Sequence, residues 1–303
     1  MSDPIYRTGV NERIPKQILA RALKLKGAGT LRAFHDNLKL ADQADLKKPL
    51  KVYVKAVMNR KRHKKAKNQN QARGAIGNLV EMICFGKKPN NKTEADFPKC
   101  KLELKVTGLR ERDNEAKERI SLSMIDDQMV CRTGKYKPSL STTKAYSTFG
   151  PKKQANSILF IVYKYAPGKA YMNAEIKAAF IWKPSVREKA EMFDDFVIIR
   201  RMCDHGYAHC LSEGLGEFMG AATKGAGKKK GDKPAAAKRN RVELMSSVQK
   251  ELSNTARFDI FKSKVKPKLK RGGAIKKRCY SLKRKSVTAI ISRNISCSKK
   301  SGG

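Results

Sequence analysis

"TEADFPKCKLELKVTGL", residues 93–109, sets an acid ahead of a proline, then a strand-like run carrying a second acid and a lysine. KLELKVT alternates strictly, which predicts a strand sending Leu102, Leu104 and Val106 to one face and Lys101, Glu103, Lys105 and Thr107 to the other. Glu103 and Lys105, two apart, project from the same face. Asp96 precedes Glu103 by seven residues with Pro98 between them, so the chain can turn back and bring the carboxylates together. Metal-dependent phosphodiester cleavage needs hard oxygen ligands for Mg²⁺, a water made nucleophilic near it, and a positive group to orient or stabilise charge. Glu-x-Lys occurs here at Glu103, Glu115 and Glu175, but only Glu103 combines the strand pattern with a nearby aspartate. Pattern alone leaves two readings standing, a nuclease centre and a salt-bridged strand face.

The rest of the composition bears on that choice. The formal net charge is +41 over 303 residues, while an apolar fraction of 40% is that of an ordinary folded protein. A polyanion is the simplest partner for such a surface, because phosphates neutralised by Lys and Arg release condensed counterions. Anionic membrane is the rival, but the longest strongly apolar piece, SILFIVY at 157–163, is strand-sized. The first residues, MSDPIYRTGV, lack the apolar region of a signal peptide, so an intracellular protein is expected, in a prokaryotic cytoplasm, a nucleus or a host cell compartment. The seven scattered cysteines form no CxxC pair, in keeping with reduced thiols.

Along the chain, residues 14–45 carry helical periodicity that Gly27–Gly29 divides into two helices. Residues 59–73, NRKRHKKAKNQNQAR, hold seven Lys/Arg and no acid, a run suited to phosphates, a solvated helix face or an import signal. GAIGNLVEMICFG, 74–86, reads as a short apolar helix whose one acid, Glu81, is either on its wet side or held inward for a purpose. SILFIVYKY, AAFIWKP and DFVIIRRM read as buried strands, with SVREKAEMFDD a helical link, which together predict a mixed α/β sheet. CDHGYAHC, with Cys203, His205, His209 and Cys210, has the wrong spacing for common zinc sites and reads as a hairpin tip between FVIIRRM and YAHCLS. Over 221–303, 25 Lys/Arg face four acids; 225–241 reads as a flexible Lys/Gly-rich insertion, and 274–292 keeps strand patterning.

Six blocks, ARGAIGNLVEMICFG, EADFPKCKLELKVT, ERISLSMI, HGYAHCLSEGLGEF, ATKGAG and YSLK, stand in an order that resembles the MutH family. That family joins a mismatch-repair nicking enzyme to type II restriction endonucleases that cut GATC. The resemblance implies the restriction-endonuclease-like PD-(D/E)xK fold, α/β (α+β), a mixed central sheet flanked by helices in two lobes around a DNA cleft. It implies Asp96 and Glu103 as Mg²⁺ ligands, Lys105 at the attacking water, and Glu81 as a helix acid joining the metal site. A second active-site lysine is implied just before SILFIVY, where Lys152 and Lys153 both stand. Thr223, Lys224 and Gly225 resemble a recognition loop approaching base edges, and Ser281 and Lys283 of YSLK belong to the same DNA-reading portion. Ser281 replaces the tyrosine with which the nicking member senses adenine methylation, which favours the restriction branch. Arg73 closes the basic run expected to clamp phosphates.

The expected organisation is an N-terminal extension (1–15), a catalytic core (16–222), a DNA-recognition portion (223–292) and a disordered tail (293–303). The expected activity is Mg²⁺-dependent hydrolysis of both strands of a short palindromic site, leaving 5′-phosphate and 3′-hydroxyl ends. Palindromic cutting implies two active sites, hence a dimer or two sequential nicks, and a homodimer at least on DNA is expected; self-protection implies a cognate DNA methyltransferase. The alternatives are a strand-nicking repair endonuclease and a non-catalytic basic DNA-packaging protein.

Overall fold

The structure, a computed structural model, describes residues 5–58, 75–89, 94–125, 157–166, 170–204, 211–223 and 278–300. The chain divides into two compact units, one of residues 1–118, 153–183 and 287–303, the other of 119–152 and 184–286. No helix among the described residues is long and apolar enough to cross a membrane.

The first unit opens with three helices, α1 (Pro15–Gly27), α2 (Leu31–Asp36) and α3 (Leu40–Met58), where periodicity predicts two. Gly29, at φ +82, makes the expected break, and Thr30 then caps α2, its hydroxyl oxygen accepting from the Ala33 N–H at 3.1 Å. The predicted apolar helix is α4 (Ala75–Phe85). It buries Ala75, Ile76, Leu79, Val80, Met82, Ile83, Cys84 and Phe85, and packs on α1, α2, α3 and β1 (Leu102–Arg110). The unit's sheet has the order β1-β3-β4, with β3 (Ser157–Tyr165) parallel to β1 and antiparallel to β4 (Ile176–Trp182). This is a mixed sheet. β1 departs from the expected half-wet alternation: Glu103 and Thr107, 2% and 0% exposed, are as buried as its leucines. A strand in parallel pairing is covered on both faces more often than one in an antiparallel meander, and any polar side chain on it must then find partners inside.

The second unit's sheet is wholly antiparallel, order β2-β6-β5, from β2 (Ile120–Met124), β6 (Arg278–Leu282) and β5 (Met219–Thr223). Helix α5 (Val186–Asp204) packs on β5. That helix corrects the expected hairpin: FVIIRRM is its second half, and Cys203 lies in it. The start is a reciprocal cap, Ser185 N–H donating to Glu188 Oε2 at 2.8 Å and Glu188 N–H to Ser185 Oγ at 3.2 Å. Met192, Phe196 and Ile199 then fall at helical spacing and are buried. His205, His209 and Cys210 lie outside the described residues. The strand patterning of 274–292 also resolves differently: β6 ends at Leu282 and helix α6 (Arg284–Lys300) follows, burying Val287, Ile290 and Ile291 on one face.

Candidate active site

The opening stretch folds as a tight return. Phe97 N–H donates to Leu102 O at 2.9 Å and Leu102 N–H to Phe97 O at 3.1 Å. Pro98–Cys100 form a 3₁₀ turn between them, and Lys101 closes it in the left-handed region at φ 52. The return lays Asp96 alongside β1, where its Oδ2 accepts the Leu104 N–H at 2.9 Å. The turn-back expected at Pro98 is therefore present in the backbone.

One strand step either side of Leu104, Glu103 and Lys105 meet, Lys105 Nζ donating to Glu103 Oε1 at 2.5 Å. The Glu103 side chain is 3% exposed and that of Lys105 19%. Burial pulls the Lys105 pKa down, but the Glu103 charge, the Asp96 charge, the hydrogen bond to Glu103 and the Glu81 charge together push it up past that, above its ordinary value. The three expected acids thus act on one ammonium group, that of the expected lysine. Glu81, half-buried on α4, contributes through its charge. This favours the inward reading of that acid over a wet-side glutamate.

Tyr53 is a residue the sequence reading missed. It lies on α3 across from α4, and its phenol pKa is raised by burial and by the Glu81 charge, against a hydrogen bond with Asn78 that lowers it. Nothing in the pattern of α3 signals this; the pairing exists only once α3 packs on α4.

Among the described residues no three His, Cys, Asp or Glu side chains are grouped closely enough to hold a metal ion. The donor chemistry nevertheless fits Mg²⁺, which takes only one or two carboxylates and fills its remaining positions with water and substrate phosphate oxygens. Asp96 and Glu103 are the pair that would hold it, with Glu81 close enough to add charge.

Of the residues expected to meet DNA, three are described, all in the second unit. Thr223 ends β5 and its hydroxyl accepts from Arg278 Nη1 at 2.7 Å. Ser281 is 1% exposed and its hydroxyl donates across the sheet to Gly220 O at 3.2 Å. It lies in the central strand, so its hydroxyl serves the sheet and faces no solvent. Lys283, just past β6, donates to Gly216 O at 2.5 Å. Arg73, Lys152, Lys153, Lys224 and Gly225 lie outside the described residues.

A second buried acid, also missed in the sequence, anchors that unit. Asp195, 0% exposed on α5, accepts the N–H groups of Glu217 (2.9 Å), Phe218 (2.8 Å) and Met219 (2.8 Å) where the chain enters β5. Gly216 is required beside it, since a Cβ there would stand 2.5 Å from Asp195 Cγ and closer still to Met219 O.

Comparison with known proteins finds two similarities in sequence. Residues 85–195 match the family model described as "DNA mismatch repair enzyme MutH", a span that includes Asp96, Glu103 and Lys105. The chain is also 27% identical over 161 residues to the type II restriction enzyme Sau3AI of Staphylococcus aureus. That match covers 52% of this chain and 30% of the relative, so the chain spans less than a third of that enzyme's length. The two matches, with a mixed α/β architecture and an Asp…Glu-x-Lys strand inside the matched span, make the chain similar to the MutH-related restriction endonucleases and support the restriction-endonuclease-like fold.

Proposed function

We propose that the chain is a Mg²⁺-dependent, site-specific DNA endonuclease of the type II restriction kind. It would hydrolyse both strands of a short palindrome, GATC by family default, to 5′-phosphate and 3′-hydroxyl ends. The observation that carries this reading is the meeting of Asp96, Glu103 and Lys105 on one strand edge, with Glu81 adding a third negative charge. Ordinary surface ion pairs are exposed and interchangeable; here a carboxylate only 3% exposed is committed beside a lysine held in its charged form.

When bound at Asp96 and Glu103, the metal would lower the pKa of a coordinated water and stabilise charge on the scissile phosphate. Lys105 holds its ammonium within reach of the same phosphate, donating to an oxygen of the reacting group or to the attacking water. Glu103 keeps that ammonium oriented, and the Leu104 N–H fixes the Asp96 carboxylate. The basic run ending at Arg73, with Lys153, Lys224 and Gly225, is assigned to phosphate and base contacts. The 223–292 portion is assigned to DNA reading. A symmetric site implies a homodimer on DNA, and an intracellular enzyme of this kind implies a methyltransferase protecting the host genome.

The test is incubation of the purified chain with unmethylated plasmid and Mg²⁺ beside Glu103→Gln, with the fragment ends sequenced. Discrete fragments sharing one terminal sequence, absent in the variant, are expected. Nicked circles alone would replace this reading with a strand-nicking repair enzyme, and binding without any cleavage would replace it with a DNA-packaging protein.

A further inference from the structure

We propose that Arg278, backed by Arg119 and engaged at one corner by Thr223, is an oxyanion site that takes one backbone phosphate of duplex DNA beside the end of β5. The inference rests on the endonuclease reading and adds a contact that neither the family resemblance nor the six sequence blocks assign.

Arg278 is the first residue of the central strand β6. Its backbone is fixed on both sides, opposite Thr223 in the β5 register and through its carbonyl, which accepts the Ile125 N–H at 3.0 Å. Its guanidinium is half-buried and has no carboxylate partner among the described residues. Nη1 donates to Thr223 Oγ1, while Nε is buried without a hydrogen-bond partner. Nε and Nη2 lie along one edge of the planar guanidinium, the edge that grips an oxyanion with two parallel N–H bonds. Thr223 engages the opposite corner, which leaves the Nε–Nη2 edge without a hydrogen-bond partner among the described residues.

A second cation stands beside it. Arg119 pairs with Glu213 through Nη1 and turns Nη2 towards Thr223 O at 3.4 Å. Two guanidinium groups therefore converge on one threonine. Burial lowers the Arg278 pKa, the neighbouring Cys279 group opposes this, and the Arg119 charge adds to the lowering, leaving it below its ordinary value. A guanidinium is a costly group to hold in a half-buried place beside a like charge, and an anion docked on its edge removes that cost. A phosphodiester oxygen matches the edge in geometry and the pair in charge.

The experiment measures the affinity of the full chain for fluorescent duplexes with and without GATC, in EDTA so that nothing is cut, across potassium chloride concentration. Arg278→Gln is expected to weaken binding to both duplexes by the same factor and to reduce the slope of log affinity against log salt by about 0.9, the value for one phosphate contact. Arg278→Lys, which keeps the charge and loses the fork, is expected to keep the slope and to lose affinity several-fold on both; it also serves if the glutamine variant does not fold. An unchanged slope in Arg278→Gln, wild-type affinity in Arg278→Lys, or a loss confined to the GATC duplex would each overturn the phosphate assignment. Those results in a wild-type protein that still cuts plasmid sink this inference alone; a wild type that neither binds nor cuts duplex sinks the endonuclease reading with it.

Discussion

Glu103 and Asp195 are both carboxylates buried to within 2% of completely, one in each unit, and they are satisfied in opposite ways. Asp195 accepts three successive backbone N–H groups and thereby fixes the entry to β5. Glu103 meets a lysine ammonium that also feels Asp96 and Glu81. A carboxylate spent on main-chain donors is locked into the scaffold, because those donors have no other use. A carboxylate sharing one lysine with two further acids belongs to a group whose charges can be redistributed when a cation or a phosphate arrives. Burial alone marks both residues; the kind of partner separates the acid that holds the scaffold from the acid that the proposed function assigns to chemistry.

The sharpest way to break that contrast is to neutralise each acid with its isostere. Glu103→Gln is expected to lower cleavage on the order of 10³-fold, because a metal ligand is worth several kcal/mol of transition-state stabilisation at about 1.4 kcal/mol per tenfold. Its melting temperature should move by only about 3 °C or less, since Lys105 keeps Asp96 and Glu81 as counter-charges. Asp195→Asn should do the reverse to stability. An amide presents one acceptor and turns an NH₂ towards the other N–H donors, so about 3 kcal/mol should be lost in urea unfolding. If Glu103→Gln unfolds the chain while Asp195→Asn leaves its urea midpoint unchanged, the assignment of the two acids is inverted.

The contrast also marks what could be read from the sequence. Strand alternation and Pro98 gave away the meeting of Asp96 with β1, because a short local return is specified by adjacent residues. Apolar periodicity likewise gave α4, β3 and β4. The hairpin expected at FVIIRRM failed because a β-branched run mimics a strand when read without its neighbours. Ser185-x-x-Glu188 and the spacing of Met192, Phe196 and Ile199 carry the helix, and the helix wins by continuing a start already capped. Asp195 was invisible for a different reason: within EMFDDF it is indistinguishable from its solvent-facing neighbour Asp194, and only the packing of α5 on β5 selects it. Tyr53 near Glu81, and the burial of Ser281 in a central strand, are products of tertiary pairing in the same sense.

A smaller effect sharpens the comparison from the side of the scaffold that carries Glu81. The end of α4 is tied down by Tyr6, whose hydroxyl donates to Ile83 O, and by Arg21, whose Nε donates to Cys84 O at 2.9 Å. Burial pushes the Tyr6 phenol from 10.0 up to about 12 and the Cys84 thiol from 9.0 up to about 12, Cys84 being wholly enclosed. Both are acids whose neutral forms fit the folded state. With folded pKa values above the unfolded ones, their contribution is complete below about pH 8 and is lost as pH rises towards 12. At pH 10 the pair should have given up about 2 kcal/mol, read as a falling urea midpoint between pH 8 and pH 10.5. Tyr6→Phe combined with Cys84→Ala should shrink the fall, leaving the smaller part carried by other raised groups such as Tyr53 and Cys100. A urea midpoint that stays level to pH 10.5 in the wild type would show that the anchor of α4 does not depend on the neutral phenol and thiol, and that the helix bearing Glu81 is held by packing alone.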